Sequence, residues 1–110
     1  MSVSYPTLTL TMAASGALVA NRFIGTNFAQ AGAGANTLGV VQMPGTDEDI
    51  PVDVLGAVPV EVGAAVSAGA LVESDASGRA ITRTSGAVAG RVLESATAAG
   101  QRVLCVLIPN

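Results

Sequence analysis

Lysine, histidine and tryptophan are missing from this 110-residue chain, cysteine occurs once, and aromatic residues amount to 3%. Each gap removes a class of chemistry. Without histidine the chain lacks the usual general base near neutral pH and the commonest metal ligand. Without lysine it can form no Schiff base and carry no lysine-borne cofactor, and the serine and threonine hydroxyls have no base to activate them. Cys105 has no partner for an internal disulfide and no histidine beside it, so it reads as a small buried hydrophobe in a protein assembled in the cytosol. No catalytic residue, cofactor site or metal site is expected.

Charge is scarce as well. Charged residues make up 12%, five arginines against eight acids, for a net charge of −3. Nucleic-acid binding needs a clustered basic footprint that displaces counterions from phosphates, and scattered arginines do not supply one. No run approaches the roughly 18 apolar residues needed to cross a bilayer, and no basic stretch precedes an apolar one at the N-terminus. Neither a membrane span nor a signal peptide is expected. The length suits one small domain. Half the residues are hydrophobic, but with so few aromatics the core must be built from small aliphatics such as Val and Ala. These yield less on burial than Leu or Phe, which makes help from a partner surface more useful.

What is present is a β pattern. Residues 7–12, Thr-Leu-Thr-Leu-Thr-Met, alternate as a strand does, and residues 17–24 form a second candidate. Residues 27–36 collapse to Ala, Gly, Gln and Asn around Phe28, a composition expected to bury almost nothing and to form a mobile loop or arm. From Thr37 onward short Val/Leu/Ile segments recur at 38–42, 52–55, 58–62, 71–74, 79–82, 88–94 and 103–108, separated by Gly, Asp, Ser or Pro. That rhythm predicts an all-β fold, a small β-barrel or sandwich of β-tulip-like form with an extended N-terminal arm or hairpin. The expected division is an arm with its Ala/Gly-rich loop over 1–36 and a barrel over 37–110. Removing the residues before Leu38 is then expected to leave the domain folded.

Local chemistry refines this. Pro51 and Pro59 each lack a ladder donor and belong at strand starts, edges or bulges. Asp75-Ala76-Ser77-Gly78 has turn chemistry and makes 71–82 a hairpin, and 95–100 reads as a turn closed by Gly100. The last strand is apolar on both faces, Val103, Cys105 and Leu107 against Leu104, Val106 and Ile108. It is either central with both faces covered or turns one face to another chain.

The acidic cluster Asp47, Glu48, Asp49 and Asp53 lacks the alternating ligands and the glycine of a calcium loop, and reads as a solvated turn. Residues 32–37 open like a dinucleotide fingerprint, but Thr37 stands where the third glycine belongs and no helix follows. Arg22, Arg79, Arg83, Arg91 and Arg102 can fork onto carboxylates of a partner or merely serve solubility. The almost uncharged N-terminal stretch holds all three aromatics. It nominates Tyr5, Pro6, Leu8, Leu10, Met12, Phe23 and Phe28, with Arg22, as partner-binding residues, or else as the domain's own core.

The segment from about Leu55 to Ile108 resembles the capsid cement, or head decoration, proteins of tailed bacteriophages. The likeness rests on Val60-Glu61-Val62-Gly63-Ala64-Ala65-Val66-Ser67-Ala68-Gly69, then Leu71-Val72-Glu73-Ser74-Asp75-Ala76-Ser77-Gly78-Arg79-Ala80, then Ala89-Gly90-Arg91-Val92-Leu93-Glu94-Ser95-Ala96 and Gly100-Gln101-Arg102-Val103-Leu104-Cys105-Val106-Leu107, in that order. Ala70, where an acid often follows the glycine, and Arg91-Val92, in place of smaller residues, depart from the pattern. The resemblance implies a non-enzymatic virion protein on the outer capsid surface. It would bind the expanded head, bridge major capsid protein subunits and associate with itself as a dimer or trimer around local symmetry axes. A carrier module of biotinyl or lipoyl type is excluded by the missing lysine. A small non-catalytic β subunit of a bacterial enzyme complex is the alternative.

Overall fold

The computed structural model describes residues 5–46 and 49–110. Its strands are β1 (Tyr5–Ala13), β2 (Ala17–Leu18), β3 (Arg22–Ile24), β4 (Gly39–Val41), β5 (Gly45–Thr46), β6 (Asp49–Glu61), β7 (Leu71–Ser74), β8 (Ala80–Thr82), β9 (Gly90–Val92) and β10 (Arg102–Leu107). Eight of them form one sheet, and β2 and β5 pair separately. The all-β barrel expected from the segment rhythm is therefore the fold.

β6 is the spine. Thr9 and Val40 both oppose Asp53, and Tyr5 and Val106 both oppose Ala57. β1 thus runs along one edge of β6, while β4 and β10 follow one another on the other. From β10 the sheet continues through β9 and β7 to β8. It then curls back on itself: Ala80 bridges Val62 in parallel, the Gly63 N–H donates to the Ala80 carbonyl at 2.8 Å, and the Phe23 N–H donates to the Gly78 carbonyl at 2.7 Å. Across this seam Glu61 pairs with Arg22 at 3.3 Å and Arg79 at 3.8 Å, and Arg79 pairs with Asp75 at 3.3 Å. Such part-exposed pairs fix geometry more than they add stability.

Two apolar clusters result. The barrel interior holds Phe23, Val40, Val58, Val60, Val62, Val72, Val92, Val103 and Cys105. A second cluster gathers Met12, Leu18, Ile24, Val41, Ile50 and Val52. Adjacent residues on β3 and β4 serve different clusters, as the two-residue period of a strand requires. On β6 the clusters share alternate positions, 50 and 52 before Gly56 and 58 and 60 after it. The strand passes from one cluster to the other at the register slip between Asp53 and Leu55, just before Gly56, whose φ of +108° a side chain would resist.

Several expectations need correction. Segments 52–55 and 58–62 are joined in one strand, β6, which ends at Glu61. Pro59 sits inside it because the edge away from β10 meets Asn21 instead of a strand: the Asn21 side chain donates to the Pro59 carbonyl and the Glu61 N–H donates to the Asn21 carbonyl. Segment 17–24 is broken into β2 and β3 by Asn21 at φ 64°, a conformation that Asn tolerates. Residues 27–36 bury more than their composition suggests. Ala31 is in the core with its N–H on the Phe23 carbonyl, and the Gly34 N–H donates to the Ser74 carbonyl. With β1 paired to β6, β3 to β4, and Phe23 fully buried, loss of the residues before Leu38 would open both clusters.

The hairpin 71–82 forms as expected. One Asp75 carboxylate oxygen accepts from the Ser77 and Arg79 N–H groups at 2.8 and 2.9 Å, and Gly78 takes φ +77°. Of the acidic cluster, Asp47 and Glu48 lie outside the described residues, and Asp53 accepts a 2.7 Å hydrogen bond from the Thr9 hydroxyl.

Candidate functional site

Residues directly opposite one another across a sheet share a face. Tyr5, Ala57 and Val106 therefore stand in one row on the outer face, with Arg91 at its end. Leu104, two residues back on β10, shares that face opposite Pro59. Tyr5 is 62% exposed and Val106 38%. Leu8 opposes Leu55 one register shift away, and Leu93, whose N–H donates to the Leu104 carbonyl, is also exposed. β10 is thus a central strand whose Val103, Cys105 and Leu107 fill the barrel, while on its second face Val106 is exposed and Leu104 and Ile108 are half-buried. An apolar centre with arginine at its margin is the composition of a protein-binding surface.

The residues nominated from sequence divide. Tyr5 and Leu8 belong to this region, and Pro6 lies between them on β1. Leu10 is exposed but opposes Val52, at the margin of the second cluster. Met12 and Phe23 are buried and belong to the cores, so they are withdrawn as contacts of this outer face. Arg22 is held by Glu61 at the seam. Phe28 lies apart, at the tip of a turn over residues 25–29, exposed and at φ 68°. Leu55, Leu93 and Val106 were not nominated, although the doubly apolar last strand was the signal for Val106.

Beside the turn lies a cavity of about 350 Å³ lined by Thr26, Asn27, Gln30 and Asn36 among others, with no ionisable side chain in its wall. Among the described residues no three of Cys, Asp and Glu converge as a metal site would require. Burial pushes the Cys105 thiol up to about 12. Because the thiolate is the reactive form, the folded protein is expected to leave a thiol reagent untouched for hours at pH 8 and to release one equivalent on denaturation.

Glu73 is the other perturbed group. One of its oxygens accepts the N–H groups of Thr84, Ser85 and Gly86 at 2.7, 3.2 and 3.0 Å, and the Thr84 hydroxyl at 3.4 Å. The backbone bonds from Thr84 and then Gly86 hold its carboxyl below the ordinary value of 4.5, against the opposing effect of burial. A carboxyl depressed in the folded state stabilises the fold above its unfolded pKa and loses that contribution as pH falls through the folded one. The melting temperature is therefore expected to hold above pH 4.5 and drop below it, and Glu73→Gln should flatten that acid limb. An unchanged acid limb in the variant would refute the assignment.

Three comparisons bear on this surface. No curated protein matches the chain. Among solved structures it is similar to the crystal structure of the head fiber gp8.5 N base of bacteriophage phi29. The TM-score is 0.72 at 20% identity, covering 92% of this chain and 93% of that one. At that identity the likeness speaks for the fold. The family model described as phage cement protein matches residues 3–107, well beyond the half in which the sequence resemblance lay. An all-β barrel with exposed apolar residues on its outer sheet face, matched almost end to end by that model, belongs to the phage cement protein family.

Proposed function

We propose that the chain is a non-enzymatic head decoration protein. It binds the outer surface of the expanded phage head, bridges neighbouring major capsid protein subunits and thereby stabilises the shell. Membership of the cement family supports a head-associated role, and the observation that carries the finer reading is the outer row in which exposed Tyr5 and Val106 flank Ala57. A ligand that binds the assembled lattice and not its separated subunits raises the free energy of breaking the lattice by mass action. Repetition over many copies adds through effective concentration what one small interface lacks.

Purified protein added to expanded heads lacking it should raise their rupture temperature in a saturable manner. With few charges at the contact, binding should weaken by less than about tenfold between 50 mM and 500 mM salt. Failure to bind expanded heads, or binding them without any shift in rupture temperature, would sink the proposal. A steep salt dependence would transfer the contact to the arginines.

A further inference from the structure

We propose that the free edge of β1 pairs antiparallel with the same edge of a second copy, centred on Leu10, so that two sheets join across a twofold axis. β1 is hydrogen-bonded to β6 along one side only, and among the described residues no strand takes its other side. Its nine residues span about 30 Å of edge to which no strand is paired among the described residues. Exposed edges of this length are normally guarded by lysine, inward charge or a bulge. Here residues 5–13 carry no charge at all. The irregularity at Pro6 and Leu8 lies at one end, and at the next shift, between Leu8 and Thr9, β1 advances by one residue while β6 advances by two. The bulge there belongs to β6, which leaves residues 8–12 of β1 regular.

Those five residues read almost the same in both directions. Antiparallel pairing about Leu10 sets Leu8 opposite the second copy's Met12, Thr9 opposite its Thr11, and Leu10 opposite its own counterpart. Like side chains thus meet on each face, aliphatic on one and hydroxyl on the other. A patch complementary to itself gives a closed, isologous contact. That is why the occupant argued for is a second copy and not an unrelated strand. The edge is small beside the roughly 800 Å² per partner of a standard interface, so the dimer should be weak and concentration-dependent.

Sedimentation of the full chain from about 10 to 500 µM, the range suited to a small interface, should show the mass rising from 10.8 kDa toward twice that value. Leu10→Lys sets two like charges face to face and should weaken dimerisation at least tenfold while the melting curve stays in place, because Leu10 is 42% exposed. Leu10→Cys should form a disulfide-linked dimer on mild oxidation, whereas the native chain, whose Cys105 is buried, should not. A native chain that stays monomeric throughout, a Leu10→Lys dimer of native strength, or Leu10→Cys crosslinking no faster than Thr82→Cys on the exposed end of β8 would each overturn the proposal. No capsid enters these measurements, so their failure is separable from failure of the decoration role.

Discussion

Gly39→Ala is expected to lower the melting temperature by on the order of 15 °C, the largest effect of any single methyl group in this protein. A Cβ at position 39 would fall onto the Asp53 carbonyl, with the Val54 Cα 3.1 Å away. Both are backbone atoms of β6 and cannot step aside by changing rotamer. β4 would have to leave β6, taking Val40 from one cluster and Val41 from the other. Overpacking usually costs about 1–3 kcal/mol, and a clash with backbone in a central pair belongs at or above the top of that range. For a domain of this size about 3 kcal/mol corresponds to a shift of that order. Gly32→Ala is the control: nothing lies within 4 Å of its added methyl, so the melting temperature should stay within a degree or two or rise slightly. Equal melting temperatures for the two variants would contradict the β4–β6 packing.

The second large effect concerns attachment. Val106→Glu places a charge in the middle of the outer row, and Tyr5→Ala removes its aromatic member. Each should reduce affinity for expanded heads by about tenfold and the pair by about a hundredfold, with melting behaviour unchanged, because few residues at the centre of an interface carry most of its energy. Phe28→Ala, on a separate turn, should leave affinity within about twofold, as contacts outside the centre usually do. The reverse ranking, with Phe28 decisive and Val106 silent, would move the contact to the loop of residues 25–36.

Much of the fold was legible locally. Asp75 and Gly78 announced the hairpin because the turn is made by their own backbone and side chain. The last strand was legible because six apolar residues in a row must be covered on both sides or meet another chain. What stayed hidden was long-range. Nothing near Ala80 in the sequence says that it bridges Val62, and nothing in the Ala/Gly composition of residues 27–36 says that Ala31 enters the core: small residues are permitted there because the barrel wall approaches closely, as Gly34 does to Gly86. The candidate surface was half legible for the same reason. Composition marked the N-terminal stretch as wanting a dry environment, but whether each side chain met the chain's own interior or the outside depended on register. Met12 faces Ile50 and Phe23 enters the barrel, while Tyr5 is carried outward opposite Ala57.

The passage of β6 from one cluster to the other has a consequence for how the molecule comes apart. Since one continuous strand contributes side chains to both clusters, neither can loosen on its own without pulling register out of the other. Melting of this small, aromatic-poor domain should accordingly be all-or-none, with the amides of β6 the last to exchange with solvent. Load taken at either end of the molecule would then be resisted by the entire domain.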